Sequence, residues 1–179
     1  MFLRSIASLA CTAILSAASL TPAVAQTDQP KPSPPATATV TLNGKDITIN
    51  YGAPSMRGRK IMGELVPFDK VWRTGANEAT SFVTQGALKI GPTLVPAGSY
   101  TLYTLPNPTR WLLILNKQTG QWGTVYDQSK DFARIPLHSK TLSSPQEKMS
   151  ISFENTVGNI TELHIRWENT EQYIEVVGQ

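Results

Sequence analysis

Residues 37–52, TATVTLNGKDITINYG, decide the fold class. Two runs of alternating apolar and polar residues flank Asn43-Gly44. Asn-Gly suits a type I′ turn, because both central residues of that turn need positive φ and these two tolerate it. A two-residue loop pairs Leu42 with Lys45 and Val40 with Ile47. Val40, Leu42, Ile47, Ile49 and Tyr51 then share one face, since side chains along a strand alternate with period two. Turn and pattern agree on one register, so an antiparallel hairpin with one buried face is predicted.

Downstream the chain continues in the same manner. Residues 81–85 and 87–90 read as short strands, and 99–105 is rich in β-favouring residues. Gly91-Pro92, Pro96-Ala97-Gly98 and Pro106-Asn107-Pro108 punctuate them. Residues 111–115 are apolar at every position, as expected of a strand covered on both faces. Residues 133–137, 148–154, 160–168 and 173–177 complete the set. In 160–168 Leu163, Ile165 and Trp167 fall on one face, with Glu162, His164 and Arg166 on the other. Only 59–65 has room for a helical turn or two before Pro67. Many short strands with Gly/Pro turns predict an all-β fold, an antiparallel β-sandwich or jelly-roll-like single domain with a long structured loop.

Upstream of the hairpin, residues 1–25 have the features of a signal peptide: Arg4, an apolar run over 6–20 and the small-x-small site Ala23-Val24-Ala25. That run is about 15 residues, short of the roughly 20 that span a bilayer. Export to the periplasm or medium is expected, with cleavage near Ala25 and no transmembrane segment in the mature chain. Cys11 lies inside the apolar run, too early for a lipid-acceptor site. Residues 26–37, with Pro30, Pro32, Pro34 and Pro35, read as an extended linker, and the β-sandwich domain as 38–179.

Composition excludes several classes of function. The net charge is +3, and no basic run alternates with aromatics, which argues against nucleic acid. Cys11 is the sole cysteine, so a mature chain without it has no disulfide, thiol nucleophile or thiolate metal ligand. The two histidines, His138 and His164, match no zinc spacing, and the alternation makes His164 a solvated sheet histidine. P-loop, dinucleotide, calcium-loop and G-x-S-x-G patterns are absent. No metal or cofactor is expected. Chemistry based on carboxylate, arginine or tyrosine stays open.

Two stretches concentrate the remaining polar chemistry. The first is 51–80, YGAPSMRGRKIMGELVPFDKVWRTGANEAT, about thirty residues without clear strands. Loops of this length inside a compact domain are functional or packed by their own side chains. Arg57, Arg59 and Lys60 offer cationic forks and points for an anion, as does Arg73. Trp72 offers a flat apolar wall, Asn77 a donor and acceptor, and Glu78 a base or an arginine partner. The competing reading makes Arg73 and Glu78 a buried pair that pins the loop, with Gly75 and Asn77 at positive-φ corners and Trp72 a core plug. The second stretch is 116–132, in which Trp122 and Tyr126 read either as an aromatic binding loop or as rings folded back on the sheet.

The 51–80 block, followed in order by VPAGSYTLYTLP and NKQTGQWGTVYD, resembles the bacterial domain-of-unknown-function 2911 family over about 39–177. The resemblance implies an exported, single-domain, mainly β protein, and no reaction, cofactor or catalytic residue. Three functions stay open. The first is a binding module for a small anionic or carbohydrate-like ligand on 51–80, with Trp72 or Trp122 for stacking. The second is a hydrolase or lyase with Glu78 as base and Arg73 as clamp. The third is an envelope scaffold or partner-binding domain.

Overall fold

In the computed structural model, which describes residues 32–179, the Asn43-Gly44 turn has φ of 50° and 69°. It joins β1 (Pro35–Leu42) to β2 (Lys45–Gly52) in the expected register, Leu42 opposite Lys45 and Val40 opposite Ile47. Leu42, Ile47 and Ile49 are buried. Strand β1 also takes in 35–37, which the composition assigns to the linker. Pro35 is tolerated because it is the first residue of an edge strand. The expected signal peptide and residues 26–31 of the linker lie outside the described residues.

The remaining strands are β3 (Ala76–Thr84), β4 (Leu88–Ile90), β5 (Thr93–Val95), β6 (Gly98–Leu105), β7 (Leu112–Asn116), β8 (Asp131–Pro136), β9 (His138–Val157) and β10 (Ile160–Gly178). Among the described residues they make two antiparallel sheets, of order β1-β2-β3-β6-β7-β8 and β5-β4-β10-β9. Residues 59–65 form tight turns rather than a helix, with Gly63 at φ 85°. The helical content of the described residues is one 3₁₀ turn, Gln128–Lys130. Ile47, Ile49, Phe82, Leu113 and Leu115 of the larger sheet share one core with Ile151, Leu163, Ile165 and Val176 of the smaller. Strand β7 is covered on both faces, as its composition predicts. Leu113 and Leu115 face that core, while Ile114 pairs with Tyr103 on the outer face.

Strand β10 joins two stretches that the sequence pattern separates. Register shifts on either side of Glu168, which sits at φ 56°, bend it sharply. Nine residues of straight strand span about 30 Å. Yet the His164 and Tyr173 rings stack with centroids 5.5 Å apart. The bend corrects the expectation for His164. It does lie opposite Leu163 and Ile165, but it is only 6% exposed because the polar face closes on itself. Its Nδ1 is 2.7 Å from Glu171 Oε1 and its Nε2 is 3.2 Å from Glu162 Oε2. Arg166 bonds both Glu154 and Glu171. Hydrogen bonding from Arg166 holds the Glu154 carboxyl at about 2, against an ordinary 4.5. Among the described residues no cluster has the makings of a metal site.

Residues 53–75 leave the larger sheet after β2, cross over to touch β9 of the smaller sheet, return at β3, and are fastened at the bend. The Glu168 carboxylate accepts the backbone N–H groups of Ile61 (3.1 Å) and Met62 (3.0 Å). Trp72 exchanges both backbone bonds with Thr104, stacks on Trp167 at 5.8 Å and meets Trp111 edge-on at 6.4 Å.

Two outcomes follow. Glu168→Ala loses two charge-assisted bonds and keeps a left-handed backbone, so stability should fall by about 2 kcal/mol or more. Glu168→Gly relieves the backbone cost and should be less damaging, by about 1 kcal/mol. Urea midpoints of the two variants check the order. Glu154 has a depressed folded pKa, so its stabilisation is complete above about 4.5 and is lost as pH falls toward about 2. The urea midpoint should therefore drop through that window, and Arg166→Gln should flatten the drop.

Candidate functional site

Strand β3 is paired along both halves. Residues 81–84 pair with β6. The first half instead meets residues 121–123. Ala79 N–H donates to the Gln121 carbonyl (3.3 Å), Gly123 N–H donates to the Asn77 carbonyl (3.2 Å), and Glu78 bridges Trp122. The two stretches that the sequence singles out are therefore one surface. Asn77 holds φ 66°, a left-handed conformation that asparagine tolerates, and its Nδ2 donates to the Ser33 carbonyl (3.0 Å). Thr74, β-branched and at φ 52°, is a costlier exception. It is held by its hydroxyl contact with Thr104 (3.0 Å) and by Thr80, which donates to its carbonyl (3.0 Å).

Gly123 lies directly over Arg73. A Cβ at Gly123 would sit 2.1 Å from Arg73 Cδ and 2.6 Å from the Asn77 carbonyl oxygen. Arg73 is thus half-buried, its Nε is buried without a hydrogen-bond partner, and burial pushes its pKa down. The ion pairs of the described residues use Lys60, Arg134, His164 and Arg166, but not Arg73.

Gln121, two residues before Gly123, has its amide fixed by elimination. The Thr101 hydroxyl donates to the Gln118 carbonyl and the Tyr103 hydroxyl to the Val125 carbonyl. Both hydroxyl protons are spent, so both oxygens need a donor, and Gln121 Nε2 supplies it at 3.1 and 2.9 Å. The amide cannot flip without losing these bonds, and its Oε1 is left buried and unbonded. Tyr126 folds back against Tyr103, with ring centroids 5.0 Å apart. Its hydroxyl donates to Asp131 (2.6 Å) and accepts from Arg134 (2.8 Å). Burial, with Asp131 beside it, pushes its pKa up to about 12. Trp122 does not fold back: it is 54% exposed.

The other candidates stand apart from this centre. Arg57 Nη2 donates to the Pro32 carbonyl, and Arg59 donates from Nε and Nη2 to the carbonyls of Met56 and Ser55. Both satisfy backbone carbonyls at exposed positions. Lys60 pairs with Glu64 at 3.4 Å on the surface. Trp72 is packed between Trp167 and Trp111. The fold brings Arg73 and Asn77 together under Gly123, two residues from the Gln121 that bonds Tyr103, and it pairs Glu78 with Trp122 on the same ladder. Nothing local in the sequence marks Gln121 and Tyr103, because their importance comes from the ladder between 77–79 and 121–123.

The molecule is thus a two-sheet antiparallel β protein whose polar centre lies where a long crossing meets the β7–β8 loop. The model for the family described as a protein of unknown function, DUF2911, matches residues 33–176, and the chain belongs to that family. No curated protein and no solved structure matches it.

Gly123→Ala should open this junction. Overpacking of this kind costs roughly 1–3 kcal/mol. Arg73→Ala in the same chain should restore part of the loss, because it removes the nearest atom but not the Asn77 carbonyl. A double-mutant cycle by thermal unfolding measures the restored part.

Proposed function

We propose that this DUF2911 protein is an exported binding module that holds a small anionic ligand at Arg73, between Asn77 and Trp122. The observation that carries the reading is an arginine without a counter-charge among the described residues. A guanidinium withdrawn from water needs an opposite charge or a full set of acceptors. Arg73 is partly buried, joins none of the described ion pairs, and has an unsatisfied Nε. An oxyanion supplies both the charge and the acceptors, and the planar fork suits carboxylate or phosphate. A hydroxyl on the same ligand answers the orphaned Gln121 Oε1, which makes hydroxy acids and sugar acids the best-matched class. The exposed Trp122 indole gives such a ligand an apolar wall. Export rests on the leader at 1–25.

The Arg73 Nε–H resonance is the direct probe. Titration with inorganic phosphate, acetate and D-glucuronate should shift it saturably with at least one of them. Arg73→Ala should weaken that binding by about 100-fold, the loss of charge-assisted bonds, while the melting temperature changes little. No shift with any of the three, together with a large loss of stability in Arg73→Ala, would make Arg73 a structural plug.

A further inference from the structure

A concavity lies away from the Arg73 centre, between the crossing, the β6–β7 turn and the bend of the β9–β10 hairpin. None of the Arg73 centre's residues lines it. Its volume is about 200 Å³. That is below the roughly 300–1,000 Å³ of pockets for drug-sized ligands. It has room for a single ring.

Its lining is divided by chemistry. Met62, Phe68 and Trp111 supply apolar surface, and Trp111 is braced edge-on by Trp72 at 6.4 Å. The opposite side is built from uncharged polar groups of the bend. Gln172 lines the cleft although it is 2% exposed overall. Its Oε1 accepts the Ser139 hydroxyl at 2.7 Å, which orients the amide and leaves the Nε2 protons for a guest. Thr170 and Thr141 add hydroxyls. The one charged lining residue is Lys140, which is exposed, and no arginine fork is present. Apolar surface opposite amides and hydroxyls matches a ring with a C–H face and a hydroxylated edge. The absence of arginine from the lining argues against an anion.

We infer that this cleft is a separate binding site for one neutral sugar ring, stacked over Phe68 and Trp111 and hydrogen-bonded by Gln172 and Thr170. The site does not depend on the Arg73 reading, and neither needs the other.

Saturation-transfer NMR on the purified full chain tests it, with D-glucose, D-galactose, D-mannose and N-acetylglucosamine as probes. At least one should receive saturation at its ring C–H protons. Gln172→Met should weaken its binding by about tenfold, the worth of one hydrogen bond. Thr170→Val, at the partly exposed rim, should also weaken it, and this variant decides the matter if Gln172→Met fails to fold. Lys140→Gln and Arg73→Ala should bind the sugar as the parent does. The inference is overturned if none of the four sugars receives saturation, or if Gln172→Met and Thr170→Val both bind unchanged. Loss of sugar binding in Arg73→Ala with retention in Gln172→Met would move the sugar to the Arg73 centre and also overturn it.

Discussion

Glu168 does two jobs at one point of the chain. Its backbone, at φ 56°, turns β10, and its carboxylate accepts the N–H groups of Ile61 and Met62. The two jobs depend on each other. A crossing without a ladder must find partners for its backbone polar groups, and the bend presents a carboxylate where two of them arrive. The rest of the crossing is fastened in the same piecemeal way. Met56 N–H goes to the Glu147 carbonyl, Asp69 N–H to that of Pro106, and Trp72 pairs with Thr104. Arg57 and Arg59 close further carbonyls. The segment is irregular in outline and yet bonded at many points, which is how residues 53–75 hold one conformation without strands.

The bend also decides where the aromatic rings meet. Trp167 lies just before it, so Trp72 can stack there and meet Trp111 from the larger sheet. Aromatic pairs of this geometry contribute about 0.5–1.5 kcal/mol beyond the area they bury. They fix the height at which the crossing leaves the interlayer space. Arg73 follows directly, and it emerges beneath 121–123 at the start of β3. The position of the candidate centre is therefore a consequence of packing some distance from it.

Alternation and turn chemistry made most of the sandwich legible. Asn43-Gly44 set a register, and Leu163, Ile165 and Trp167 marked a core face, because these signals are carried by neighbouring residues. The bend was not legible. Glutamate seldom adopts a left-handed backbone, so Glu168 gave no sign of it, and the two stretches on either side read as separate strands. His164 was misjudged for the same reason: alternation gives the side of the sheet but not whether that side later folds over. At the candidate centre, Arg73, Asn77, Glu78 and Trp122 stood out as residue types. Their union did not, because the ladder that joins them spans two distant segments. Arg57 and Arg59 looked like ligand contacts since the carbonyls they serve leave no mark on a sequence.

Arginines in this protein divide by what answers their charge. Arg166 meets Glu154 and Glu171, and hydrogen bonding to them raises its pKa. Removing its partners would strand a charge, which is the usual reason such a network is structural. Arg57 and Arg59 are exposed, so water completes what backbone carbonyls begin. Arg73 differs from all three. It is withdrawn from water by Gly123, and burial lowers its pKa with no carboxylate among the described residues to oppose the effect. A folded domain leaves few buried polar groups unanswered, and each exception calls for a cause. Here two exceptions among the described residues, Arg73 Nε and Gln121 Oε1, stand at one short ladder, since Gln121 is two residues from Gly123 and Gly123 lies over Arg73. One is a donor and the other an acceptor, and that pairing separates this centre from the protein's other charged clusters.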